Sequence, residues 1–196
     1  KANERRQGFG YDFNFKNQSK LAFERDFREV QLPVATNLIG SENPLPVENY
    51  KFTSYNVSYN TDRRKVVNAR ARIGYGDFFN GTRLDIQTGF NIRTQPWGTF
   101  GIDYNLNRVD LAEGFGEATL HLFRANAEVN FSNTMFWTTA IQYNSQTQNY
   151  NLFSRFQWRY LPMSDFFLVY TDNYHTNGLD IKNRQIVFKV TYWLNI

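Results

Sequence analysis

The sequence predicts an all-β protein, an antiparallel up-and-down transmembrane β-barrel with about eleven visible strands, with residues 1–196 forming the C-terminal part of a larger barrel. Three observations predict it. Apolar and polar residues alternate with period two in eleven successive stretches, turn residues separate those stretches at fairly even spacing, and Phe, Trp and Tyr make up 18% of a chain that is hydrophilic overall. Successive side chains of a strand point to opposite faces, so alternation over a stretch of this length gives a strand with one apolar and one polar face. No run of about 18 apolar residues is present, as a membrane-spanning helix would need. Alternating barrel strands average to a polar total and hide their membrane signal.

The clearest stretch is the last, 185–196. Ile186, Phe188, Val190, Tyr192, Leu194 and Ile196 fall on one side, with Gln185, Val187, Lys189, Thr191, Trp193 and Asn195 on the other. A spanning strand needs about 9–11 tilted residues. From the start of the chain, 8–16 sets Phe9, Tyr11, Phe13 and Phe15 against Asp12, Asn14 and Lys16, ahead of a tight turn at 17–19. Stretch 20–32 is less regular, with Leu21, Phe23 and Phe27 opposite Glu24, Asp26 and Arg28. A long connection holding Pro33, Gly40, Pro44 and Pro46 follows. Stretches 50–61, 65–75, 83–94 and 99–109 continue the rule; Ile73 and Phe90 lie on apolar faces, and Gln95-Pro96-Trp97-Gly98 makes a turn. Stretches 119–131, 134–144 and 150–160 repeat it again, whereas 165–174 is apolar on both faces at its start and leaves its orientation open.

All five prolines fall in connections, where a missing amide donor does least harm. The connections after odd-numbered strands are expected to be short and those after even-numbered strands mostly longer, the asymmetry of periplasmic turns and extracellular loops. Trp97, Trp137, Trp158 and Trp193 lie at or near the short-turn end, as an aromatic girdle at one membrane interface would, and Tyr192 is counted in that girdle with the first three. A soluble, lipid-binding barrel would give the same alternation. Against it, eleven inward faces of Phe, Tyr and Ile would have to fill a wide interior, and the polar faces hold Asn, Gln, Thr and Arg with only seven Lys in the chain.

The predicted lumen carries Arg70, Arg72, Arg83, Arg93, Arg124, Arg155, Arg159 and Lys189 together with Asp12, Glu24, Asp26, Asp85, Asp103 and Glu128. This set reads either as a selectivity ring or ligand site for anionic or sugar substrates, or as a salt-bridged network that fills the barrel, since confined charges must be paired. Signs interleaved along neighbouring strands favour the network. The catalytic inventory is short: no Cys, and two His. His121 shares parity with Phe123 and points outward. His175, near Asp172 and Asp180, is a candidate general base at the rim, although an ordinary loop histidine is the plainer reading. No phosphate loop, metal-ligand cluster or cofactor motif is present, and no metal or cofactor is expected. A net charge of +4 is spread along the strands and does not form a stripe, so no nucleic-acid partner is expected.

Several stretches carry a resemblance: FTSYNVSYNTDRRK, GYGDFFNGTR, NRVDL, the segment IQYNSQTQNYNLFSRFQWRYLPMSDFFLVYTD and the terminal strand. Over about residues 50–196 the chain resembles the C-terminal barrel of a functionally uncharacterised outer-membrane family common in Bacteroidota. The longer members of that family carry an N-terminal domain similar to family-nine carbohydrate-binding modules and are often labelled hydrolases. The resemblance implies a bacterial outer-membrane location, a cell-surface role in carbohydrate binding or uptake, and, as the alternative, a barrel-borne hydrolase acting on glycans. It also implies contacts with outer-membrane lipid, with an upstream part of the same protein and with other outer-membrane proteins. An odd strand count sends the first and last strands the same way, so direct closure would be parallel. Upstream strands and a soluble domain are therefore expected.

Overall fold

The computed structural model describes residues 4–40, 43–176, 178 and 180–194. Eleven strands form one antiparallel sheet in sequence order: β1 (Glu4–Asn14), β2 (Lys20–Gln31), β3 (Asn49–Asn60), β4 (Val67–Phe78), β5 (Gly81–Thr94), β6 (Gly98–Asp110), β7 (Glu117–Asn130), β8 (Met135–Asn144), β9 (Asn149–Leu161), β10 (Ser164–His175) and β11 (Ile181–Val190). Among the described residues β1 pairs with β2 alone and β11 with β10 alone, so both are open edges of the sheet. The chain divides into two compact units. One comprises Lys1–Arg63, Ala69–Thr88 and Asn105–Leu120, the other Arg64–Asn68, Gly89–Tyr104 and His121–Ile196.

In the first unit, register aligns the apolar side chains row by row. Tyr11 pairs with Phe23, Phe23 with Val57, and Val57 with Ile73. These side chains are not buried: Tyr11 is 65% exposed and Ile73 53%. The buried apolar cluster lies elsewhere, at the β2–β3 connection. Leu45 reaches 1% exposure among Leu32, Tyr50 and Phe52, with Val30, Leu38, Phe79 and Phe115 packed around them. The connection is pinned by paired backbone hydrogen bonds between Thr36 and Leu45 and by Asn43 Nδ2 donating to Gly114 O at 2.7 Å.

The second unit repeats the arrangement. Trp137 stands opposite Phe156, Phe156 opposite Leu168, and Leu168 opposite Phe188 on one face. Trp137, Leu168 and Phe188 are all exposed. This register fixes the orientation of β10: its even-numbered residues share the apolar face with Ile186, Phe188 and Val190.

Three strand expectations are corrected. The last strand runs Ile181–Val190, not 185–196. Its ladder with β10 ends at Phe166 opposite Val190; beyond it Thr191 N–H donates to Asp165 O and Trp193 N–H to Ser164 Oγ, next to the irregularity in β10 between Ser164 and Asp165. Tyr192 and Leu194 lie beyond the strand, and Ile196 lies outside the described residues. The first strand begins at Glu4, before any apolar alternation, because pairing of Glu4–Gln7 with Phe27–Val30 extends it. Finally, the connection after β4 is not long: Phe79 and Asn80 alone separate β4 from β5, and Phe79 takes a positive φ of 52°. The expected short–long alternation therefore fails there, and only residues 32–48 form an extended connection.

Gly81, at the start of β5, shows how close that turn lies to its neighbours. A Cβ there would sit 2.1 Å from Asp110 O and 2.5 Å from Leu111 Cα, both backbone atoms that cannot swing aside. Gly81→Ala should therefore destabilise the fold by about 1–3 kcal/mol, the usual cost of overpacking, read as a lowered denaturation midpoint.

Candidate functional site

The polar face of the first unit carries a cleft of about 260 Å³ between side chains of β2, β3, β4 and β5. Alternation places them: Asp26 and Arg28 on β2 share a face with Ser54 and Asn56 on β3, and these stand opposite Gly76 and Gly74 on β4. Arg72, Arg83, Asp85 and Gln87 complete the wall, with Phe52 and Phe78 beside them. Gly74 keeps the cleft open, since a Cβ there would lie 2.5 Å from Asn56 Oδ1.

Most of the charge is paired. Arg6 holds Asp26 in a fork, its Nε 3.0 Å from Oδ1 and its Nη2 2.8 and 3.0 Å from the two oxygens. Planar two-point pairing of this kind is the strong form of a carboxylate contact. Lys20 meets Asp12 at 2.7 Å, Arg72 meets Glu24 at 3.5 Å, and Arg83 meets Asp85 at 3.4 Å. Arg83 also lies over the Phe78 ring, 5.4 Å from its centroid, and Asp85 accepts from Gln87 at 2.9 Å.

The predicted charged set is thus only partly a paired network. Arg72, Arg83 and Asp85 belong to the cleft. Arg70 and Asp103 are engaged in interactions of their own. In the second unit Arg159 approaches Asp165 at 3.4 Å, and Arg155 carries a buried Nε with no hydrogen-bond partner. Lys189 stands opposite Phe167, on the face away from Phe188, as alternation requires. Arg93, Arg124 and Glu128 take their places on β5 and β7.

His175 and Asp172 do not form a pair. They lie three residues apart on one strand, hence on opposite faces. Asp172 is fully buried on the apolar face, where its Oδ2 accepts from Tyr170 Oη, Tyr174 Oη and Arg184 Nε. His175 is exposed, and its backbone N–H donates to Asp180 O. His121 shares a 2.9 Å hydrogen bond with Tyr104 Oη through Nδ1. The expected girdle residues are exposed: Trp97 in the β5–β6 turn, Trp137 and Trp158 at the ends of β8 and β9 nearest their turns, and Tyr192 after β11. Trp137 Nε1 donates to Ser154 Oγ at 2.8 Å.

Sequence reasoning left Arg28 and Asp77 of the cleft out of the charged set, together with Arg6, which does not line the cleft but pairs with Asp26. Arg28 has the parity of Glu24 and Asp26 and was within reach of the alternation rule. Arg6 lies before the expected start of its strand, and only pairing with β2 reveals it. The Asp172–Arg184 pair was hidden by a stretch that is apolar on both faces. Comparison with known protein families, with characterised proteins and with solved structures gives no match.

Proposed function

We propose that the chain is the barrel part of a bacterial outer-membrane protein and serves as membrane anchor or passage for a larger cell-surface protein. The observation that carries this reading is the exposed apolar face. In each unit, aromatic and aliphatic side chains from neighbouring strands are brought into rows and left uncovered, among them Phe9 at 77%, Tyr55 at 55%, Phe188 at 66% and Val190 at 54%. The largest apolar patch on a typical water-soluble monomer covers a few hundred Å². A face this extended calls for hydrocarbon as its solvent.

Two of the charged sites on that face have partners that suit such surroundings. Arg25 lies over the Tyr55 ring at 5.8 Å. Arg184 and Asp172 neutralise one another near the β10–β11 connection, with Tyr174 donating to the same carboxylate. Charged groups in lipid surroundings are found paired as Arg184 and Asp172 are. The open edges β1 and β11 would pair with strands of an upstream part of the same protein, because unpaired backbone groups in hydrocarbon cost several kcal/mol each. The family resemblance adds a surface role in carbohydrate binding or uptake. Separation of His175 from Asp172 gives the hydrolase alternative nothing to build on.

The test is fractionation of Gram-negative cells producing the protein. It should sediment with outer membranes, resist an alkaline carbonate wash and be released by detergent. Recovery in the aqueous fraction without detergent would overturn the reading and favour the soluble barrel.

A further inference from the structure

The cleft of the first unit contains a positive charge that its own side chains leave uncompensated. Arg28 stands directly opposite Arg6 in the β1–β2 ladder, on one face. Like charges so placed destabilise a sheet. Asp26, two residues from Arg28 on the same face of β2, is occupied by Arg6. Arg28 is half-buried, lines the cleft, and makes no hydrogen bond or ion pair among the described residues.

The remaining hydrogen-bonding capacity of the cleft is mostly that of cationic donors. Two of its carboxylates are committed, Asp26 to Arg6 and Asp85 to Gln87 and Arg83, and the exposed Asp77 accepts one bond, from the backbone N–H of Thr53. Its guanidiniums are not so committed: Arg72 and Arg83 touch their carboxylates only at 3.5 and 3.4 Å, which leaves most of each fork open. Spare donors facing a cavity suit an acceptor with a negative charge, and the planar guanidinium fork matches carboxylate and phosphate oxygens. At about 260 Å³ the cleft lies below the range of pockets for drug-sized ligands, so its occupant is small.

The geometry points to a binding site for a small organic oxyanion, a carboxylate or a phosphate monoester, with Arg28 as the principal contact and Arg72 and Arg83 as secondary ones. An anion there relieves the Arg6–Arg28 repulsion and completes the hydrogen bonding of Arg28. This goes beyond the membrane reading and does not rest on it, because the cleft lies on the polar face of one unit.

The experiment is calorimetric titration of the whole chain, in detergent or in buffer as fractionation dictates, with succinate, glycerol 3-phosphate and the neutral polyol sorbitol. At least one of the two anions should bind, with affinity that falls as salt is added, and sorbitol should not. Which anion binds tells the carboxylate class from the phosphate class. Arg28→Gln should weaken that binding at least about tenfold, as loss of a hydrogen bond to a charged group does. Arg28→Lys keeps the charge, guards against a misfolded glutamine variant, and should also bind more weakly because it lacks the fork. Binding of neither anion, equal binding of sorbitol, or wild-type affinity in a folded Arg28 variant would overturn the proposal. Because the readout is ligand affinity, its failure is separate from failure of the membrane reading, which partitioning alone decides.

Discussion

Ile73→Arg should block assembly of the protein into membranes while Arg72→Gln, its neighbour on the other face, should not. Ile73 lies in the middle of β4, opposite Val57, and is 53% exposed. In water an exposed isoleucine can be replaced by arginine at little cost, since surface substitutions stay within about 0.5 kcal/mol. In hydrocarbon the same change costs about 2–4 kcal/mol near the midplane. Arg72 loses only a loose and exposed contact to Glu24, a class of pair worth about 0–1 kcal/mol. Folding yield into lipid vesicles measures the difference. Val190→Arg and Lys189→Gln provide the same comparison on the edge strand β11. Equal behaviour within both pairs would remove the lipid assignment of the apolar face.

Leu45→Ala should lower stability by about 2–5 kcal/mol, the range for deleting a fully buried leucine side chain. The expectation is unusual because Leu45 belongs to a connection, where substitutions are ordinarily tolerated. Here the connection supplies the centre of the only cluster of buried apolar residues among those described, touching side chains from β2 and β3 as well as Phe79 and Phe115. Val47, two residues on and 56% exposed, makes the control, with an effect within about 0.5 kcal/mol. Equilibrium denaturation of both variants, in the lipid or detergent in which the protein is folded, checks the pair. A Leu45→Ala midpoint equal to that of Val47→Ala would mean that the cluster contributes nothing to stability.

The strands were legible because alternation is a local property of each stretch, and so, outside 165–174, was the side that the residues of a stretch would take. Ile73, Phe90 and Phe188 stand exposed on the apolar faces, and Lys189 stands on the opposite face from Phe188. Limits appeared wherever a neighbouring strand, not the stretch itself, decides the outcome. Residues 4–7 have no periodic signal and become strand through pairing with β2. Residues 191–194 retain the signal but not the strand, because past Val190 the bonds to β10 pass from backbone at Asp165 to a side chain at Ser164. Glycine and paired phenylalanines at 76–81 read as loop, yet they form two strand ends and a two-residue turn. The cleft was half legible. Its charged residues could be assigned a face one by one, but which arginine takes Asp26, and which is left without a carboxylate, depends on side-chain geometry that spacing does not encode.

The strict sequence order of the strands also bears on how the sheet can be assembled. Each ladder joins segments that are consecutive along the chain, so no pairing has to wait for a distant part of the polypeptide to arrive. Even the widest gap, residues 32–48, adds little to the search, because doubling a loop costs only about 0.6 kcal/mol more. Folds dominated by neighbours in sequence form faster than those built on remote pairings. In kinetic terms the chain can grow hairpin by hairpin, each completed strand serving as template for the next.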